Sequence, residues 1–333
     1  MNASLTPDPS LRTRLNAVKL ATLVREHLGT AEFTPHEFAG GAALVHGAQG
    51  WVLVDTLSGH APGLGGPLAW AHQRGVTEVH VVADADAGVL ARRAAGFRLA
   101  VTVWSVDGRS LIPATPEPLT MSVPAPAHHL QFLDDIVGAG AEPVVEHGVL
   151  AGEIEGLEMC RVVDDPETGE VRLEVGVGAH DREAFQMLHG NRPAFEPLST
   201  VADAVRRHRQ PLDPSHPLGR LALERALRAR LVRTPALIGA TSVVTAPPPV
   251  PRRNLKDATP CAALAIVDGE QVAVVCSVGI DLDAVPFAVD TCAVLGVTRG
   301  LVVMPSRDAM PLQHRLAAGA VPQLTVVPVE LAT

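Results

Sequence analysis

Two stretches of this chain, about 220 residues apart, repeat one another in outline. Ala42-Ala43-Leu44 is echoed by Ala262-Ala263-Leu264, and Trp51-Val52-Leu53-Val54-Asp55-Thr56 by Val272-Ala273-Val274-Val275-Cys276-Ser277. Gly75-Val76-Thr77 returns as Gly296-Val297-Thr298, Val79-His80-Val81-Val82 as Gly300-Leu301-Val302-Val303, and Val101-Thr102-Val103-Trp104 as Leu324-Thr325-Val326-Val327. The offset drifts by only a few residues across the motifs, which identifies a structural repeat. Each copy reads as a β-hairpin, turning at Gly47–Gly50 or at Asp268-Gly269. A helix (64–74 or 282–295), a buried strand (78–83 or 300–304), a second helix (87–96 or 309–318) and a last strand (99–106 or 323–329) follow. Strands alternating with helices of about ten residues predict an α/β layer rather than a sandwich.

An amphipathic helix precedes each copy. Leu11, Leu15, Val18, Ala21, Val24 and Leu28 share one face of the first. The second spans 218–232, where Glu224 stands four residues before Arg228, the favourable order for an ion pair. Prolines at 113, 116, 118, 124 and 126, and again at 247, 248, 249 and 251, mark extended linkers. Between the copies, 128–137 reads as a helix, 144–150, 157–164 and 171–177 as a three-stranded meander, and 180–188 as a helix capped by Asp181. Residues 165–169 carry turn chemistry. The expected fold class is therefore α/β, with two related α/β units flanking a central β-meander/helix unit. Its parts are an N-terminal α/β unit (1–112), a Pro-rich linker (113–126), a central acidic α/β unit (127–205), and a basic helix segment with the C-terminal repeat (206–333).

Composition narrows the function classes. The 333 residues are 47% apolar and 19% charged, enough for ordinary cores and too few charges for a disordered chain. With 27 basic against 36 acidic residues the net charge is −9, which argues against a surface uniformly positive for nucleic acid. No apolar run approaches the ~20 residues of a membrane span, and the first 20 residues lack the apolar core of a secretory signal. A soluble cytoplasmic protein that does not engage membranes is expected. Cys160, Cys261, Cys276 and Cys292 form no Cys-x-x-Cys pair, which excludes the usual zinc spacing and points to reduced thiols. Tyrosine is absent and aromatics are 3%, leaving little for base stacking. Only Lys19 and Lys256 are lysines, so few positions can supply a catalytic amine.

Within the middle segment, Gly156-Leu157-Glu158-Met159-Cys160-Arg161-Val162, a turn, and Arg172-Leu173-Glu174-Val175-Gly176 resemble the core of the restriction-endonuclease-like PD-(D/E)XK superfamily. Residues 75–111, ending Val106-Asp107-Gly108-Arg109-Ser110-Leu111, are similar to the tail of type IV restriction endonucleases. The resemblance covers about two-thirds of the chain piecemeal, through short motifs. It implies a restriction-endonuclease-like fold, with an acid on the second strand and Glu-x-Lys on the third. There the carboxylates hold a divalent metal and the lysine positions water. Glu158 matches the first acid and Glu174 the second. The lysine position holds Gly176, and the corresponding strands of the two repeats end Val54-Asp55-Thr56 and Val275-Cys276-Ser277. No unit carries Glu-x-Lys. The favoured reading is a non-catalytic, nuclease-derived binding or scaffold protein without a cofactor. The alternative is a Mg²⁺-dependent phosphodiesterase or nuclease with Glu158, Asp164 and Glu174 as catalytic residues, Glu158 and Glu174 holding the metal.

Charge is segregated along the chain. Residues 134–183 hold 14 acids and three arginines, a net of −11, and 206–256 hold 11 basic residues and two acids, a net of +9. Either the basic segment folds against the acidic one, within a chain or in a homodimer, or it contacts nucleic acid or an acidic protein. Under the second reading Arg206, Arg207, Arg209, Arg252 and Arg253 are the binding residues. Other constellations carry less. There is no P-loop, Gly63-Leu64-Gly65-Gly66 reads as an ordinary helix start, and Leu57-Ser58-Gly59 lacks a nucleophile elbow's leading glycine. His128-His129 and His180-Asp181 are conceivable metal ligands but read more simply as surface. Asp84, Asp86 and Asp308 read as helix caps at strand ends.

Overall fold

The computed structural model describes residues 9–29, 32–55, 63–165, 168–189, 195–252 and 258–330. The chain is mixed α/β, with three sheets, and divides into two compact units. One comprises Met1–Pro118 with Val285–Asp290 and Pro311–Gln323; the other comprises Leu119–Ala284 with Thr291–Met310 and Leu324–Thr333.

In the first unit α1 (Pro9–Leu28) precedes β1 (Thr34–His36), β2 (Gly41–His46) and β3 (Gln49–Val54). Then come α2 (Gly65–Arg74), β4 (Glu78–Ala83), α3 (Ala87–Ala94), β5 (Ala100–Asp107) and β6 (Ser110–Pro113). The six strands lie in sequence order. The first two pairings are antiparallel, β3–β4 and β4–β5 are parallel, and β5–β6 is antiparallel. The parallel steps need crossovers, which α2 and α3 supply. Val79 to Ala83 of β4 are all buried, and His80 is the one polar side chain in that otherwise apolar run.

The buried face of α1 shares only Ala21 and Val24 with the expected one. Leu11, Leu15, Val18 and Leu28 are exposed, while Leu20, Leu23 and Val24 are buried against Ala42, Leu44, Trp51 and Leu53. Ala17, Leu20, Ala21 and Val24 follow the i, i+3, i+4, i+7 pattern, and the two alanines let the helix approach the sheet closely.

The second unit begins with a 3₁₀ turn (Ala127–Phe132) and α4 (Leu133–Gly138). The antiparallel strands β7 (Glu142–Glu146), β8 (Val149–Ile154), β9 (Leu157–Asp164) and β10 (Val171–Val175) follow, then α5 (Ala179–His189) and α6 (Phe195–Arg209). The meander thus has four strands rather than three. The stretch read as one strand, 144–150, contains a two-residue turn at His147 (φ 48°) and Gly148 (φ 82°). Left-handed geometry at both turn positions suits the twist of a hairpin. One face of this sheet is apolar and is covered by Ile136 of α4 and by Leu198, Ala202 and Val205 of α6, which pack on Leu150, Met159 and Val162.

The chain continues through α7 (Pro217–Arg220), α8 (Leu223–Arg233), β11 (Ala240–Ala246), β12 (Cys261–Val267) and β13 (Glu270–Cys276). It ends with α9 (Ala284–Leu295), β14 (Arg299–Pro305), α10 (Pro311–Ala318) and β15 (Gln323–Val329). The expected helix 218–232 is two helices, broken where Ala222 takes φ 48°, and Arg228 pairs with partners other than Glu224. The third sheet runs β11-β12-β13-β14-β15. Its first three pairings are antiparallel, antiparallel and parallel, the sequence found for β1 to β4.

The two outer sheets correspond in their cores as well as in their order. His46 pairs with Gln49 across Gly47-Ala48, and Val267 with Glu270 across Asp268-Gly269. This aligns Ala42 and Leu44 with Ala263 and Ala265, and Trp51 and Leu53 with Val272 and Val274, all of them core residues. The Ala-Ala-Leu echo is therefore out of phase by one residue, a slip that would turn every side chain to the wrong face. A second difference keeps the faces. Val52 pairs with Val81, but its counterpart Ala273 pairs with Gly300, two residues earlier than the counterpart of Val81.

Candidate functional site

In the second unit the face of the meander opposite its apolar core is lined with carboxylates. Glu142 stands opposite Glu153, Glu153 opposite Glu158, and Glu174 opposite Arg161. Helix α8 lays arginines on this face. Arg228 is 1% exposed and reaches Glu146 at 2.8 Å and Glu153 at 2.9 Å. Arg225 pairs with the same two glutamates. Two planar guanidinium forks thus engage two carboxylates in a closed, buried lattice. Burial raises the Glu146 carboxyl, but Arg225 and Arg228 outweigh it and hold it below its ordinary value. Arg225 and Arg228 are raised, since Glu153 and Glu146 outweigh the burial that would lower them. Arg233 adds a pair with Glu155. Close approach is built into the backbone. Gly156 takes φ 72°, and a Cβ there would lie 2.2 Å from the carbonyl carbon and oxygen of Arg225.

The carboxylates that the nuclease-like pattern singles out are engaged by arginines or histidines. Glu158 is buried and pairs with Arg161 at 2.6 Å and with Arg182 at 3.3 Å. Glu174 pairs with Arg172 at 3.1 Å and with Arg182 at 3.5 Å. Arg182 of α5 therefore ties the two together, and burial, then Arg161, lowers its pKa. Asp164 stands apart. Its Oδ1 accepts from His128 Nε2 at 2.9 Å and from His129 Nε2 at 3.2 Å. Those hydrogen bonds hold the Asp164 carboxyl below its ordinary value. Among the described residues Glu158, Asp164 and Glu174 form no common ligand cluster, whereas His128, His129 and Asp164 do.

The five candidate nucleic-acid arginines are not one stripe. Arg209 is 3% exposed and donates to the carbonyls of Leu218, Leu221 and Glu155, and burial lowers its pKa to about 10. Arg206 bonds Asp203 and the carbonyls of Ala139 and Gly140. Arg207 is exposed. Arg253 and Lys256 lie outside the described residues, as does Leu57-Ser58-Gly59. Arg252 is half-buried and lines a cavity of about 150 Å³ with Glu146, Glu153, Glu158, Arg161 and Arg225. Burial, then Arg225, lowers the Arg252 pKa.

The remaining expectations fall into place individually. The four cysteines are free and buried. Asp84 pairs with Lys19, Asp86 makes no capping bond to α3, and Asp308 accepts from the Gly279 amide at 2.8 Å, so none of the three caps the helix that follows it. His180 is exposed, 3.7 Å from Glu183. In the first unit Asp55 accepts from Arg12 and Asn16 of α1. Glu146, Glu153 and Arg182 escaped the sequence reading. The spacing of Arg225 and Arg228, three apart on one helix face, was the available sign of a paired acidic surface. No helix among the described residues is long and apolar enough to cross a membrane. Comparison with protein-family models, with curated proteins and with solved structures gives no match for this chain.

Proposed function

We propose that this chain is a non-catalytic binding or scaffold protein of nuclease-like ancestry, built on a duplicated α/β unit. The observation that carries the reading is the arginine engagement of the motif acids. Arg182 bridges Glu158 and Glu174, and a divalent cation at those oxygens would have to displace guanidinium groups already paired with them. The empty lysine position supports the same conclusion. Arg225, Arg228 and Arg233 of the basic block are committed to glutamates of the acidic block, which weakens the electrostatic reason for tight polyanion binding. Of the candidate arginines among the described residues, Arg207 and Arg252 are the ones left for a nucleic-acid contact.

The test is an assay of the full chain with Mg²⁺ on labelled duplex and single-stranded substrates, paired with retention measurements across salt. The expected result is no cleavage and weak retention with a shallow salt slope. Mg²⁺-dependent cleavage that disappears in Glu174→Ala overturns the reading in favour of the nuclease alternative. Steeply salt-dependent retention overturns the internal neutralisation.

A further inference from the structure

We propose that His128, His129 and Asp164 form a binding site for a divalent first-row transition metal, with zinc or cobalt as its natural class of occupant. One ligand atom from each residue lies within 4.8 Å of the other two. Metal–ligand bonds of about 2.0–2.2 Å at tetrahedral or octahedral angles place neighbouring donors about 3.0–3.5 Å apart. The separations of 2.9 and 3.2 Å from Asp164 Oδ1 to the two Nε2 atoms lie at or close to that span. The imidazole rings stand at 87° to each other with centroids 4.7 Å apart, so their edges converge without stacking. Two borderline imidazole nitrogens beside one hard carboxylate oxygen favour a first-row transition metal such as zinc, cobalt or nickel over magnesium or calcium, which take all-oxygen ligand sets.

The local fold explains the convergence. His128 and His129 are consecutive on the 3₁₀ turn, and Asp164 is the last residue of β9, where it pairs with Val171 at the sheet's end. His129 is 5% exposed and fixed by its surroundings, while His128 and Asp164 are both more than half exposed along their side chains. The site therefore has one anchored ligand, two ligands at the surface, and a side open to water or to a small anionic ligand. Nδ1 of His129 is buried with no hydrogen-bond partner. A metal on Nε2 moves the ring proton to Nδ1, where no acceptor supports it. Missing outer-shell support of this kind weakens metal affinity by about 10–100-fold, which points to micromolar rather than nanomolar binding. The Mg²⁺ alternative shares Asp164 but would hold its metal on Glu158 and Glu174, so the two metal positions are distinct.

The experiment is titration of the metal-free full chain with Co²⁺, followed by visible absorption, with Zn²⁺ competition and Mg²⁺ as the oxygen-seeking control. The expected result is one saturable site displaced by Zn²⁺ and untouched by Mg²⁺. His128→Ala and Asp164→Asn, both surface substitutions, should each weaken it by about tenfold or more, while His180→Ala leaves it unchanged. Thermal unfolding without metal checks that the variants remain folded. Absence of one-to-one binding with a Kd tighter than about 100 µM overturns the site. So does wild-type affinity in either His128→Ala or Asp164→Asn.

Discussion

Helices α1 and α8 occupy corresponding places ahead of the two outer sheets, yet they use their charges differently. Helix α1 buries Leu20, Leu23 and Val24 on its sheet and reaches with Arg12, Asn16 and Lys19 to Asp55 and Asp84 at the strand ends. Lys19 and Asp84 are each 38% exposed along their side chains. Helix α8 buries Leu227 and Leu231 on its sheet and drives Arg225 and Arg228 into the acidic face of the meander. Topology and core pattern are common to both places, and the polar faces are not. A repeat holds its fold through apolar periodicity, which leaves the charged faces free to diverge toward different roles.

The comparison breaks most visibly at Arg228. Replacing Arg228 with alanine leaves two buried glutamates, Glu146 and Glu153, to share the single guanidinium of Arg225, and unfolding in urea should show a loss of about 3–5 kcal/mol. Gly156→Ala comes next. The left-handed backbone and the collision with the Arg225 carbonyl together should cost about 2–5 kcal/mol, and a variant within about 0.5 kcal/mol of wild type would mean that α8 does not sit against that turn.

Two glutamates near α8 should give opposite pH responses. Burial raises the Glu224 carboxyl to about 7. Below its ordinary value of 4.5 it is protonated in both folded and unfolded chains, so it costs nothing there. As pH rises through the folded value, the folded chain must ionise a buried carboxyl that water would otherwise solvate. Stability should fall between pH 4.5 and 7, by on the order of 3 kcal/mol, and Glu224→Gln should flatten this slope. Glu146 has the reverse sign. Its lowered folded pKa gives stability present above its ordinary value and lost as pH falls through the folded one. Melting temperature measured across pH separates the two. The smallest effect belongs to α1. Lys19→Ala should change stability by no more than about 1 kcal/mol, and less in high salt, because its pair with Asp84 is solvent-exposed.

Much of the chain's order was legible before its structure. Strands 78–83, 157–164 and 323–329 are apolar or alternating runs bounded by turn residues, and they form where expected. The fourth meander strand was missed because His147-Gly148 lacks the asparagine or aspartate that usually marks such a turn. The face of α1 was right at Ala21 and Val24 but centred wrongly, because Leu11, Leu15, Val18 and Leu28 outweighed Ala17, Leu20 and Leu23. Charge blocks are readable from sequence, but their pairing depends on which face of a sheet each acid occupies. Arg228 and Glu153 are separated by 75 residues, and His129 and Asp164 by 35. Only strand register and a bulge between Gly152 and Glu153 decide that those groups meet.

The central claim is that the basic block is committed to the acidic block inside one chain. A double-mutant cycle on Arg228 and Glu153, read by equilibrium unfolding, tests it most directly. Arg228→Met and Glu153→Leu are made singly and together. Each single variant should be strongly destabilised, and the double variant should recover much of the loss, giving a coupling of at least about 2 kcal/mol. Losses that add to within about 0.5 kcal/mol would show that the two groups act independently and would contradict the buried lattice.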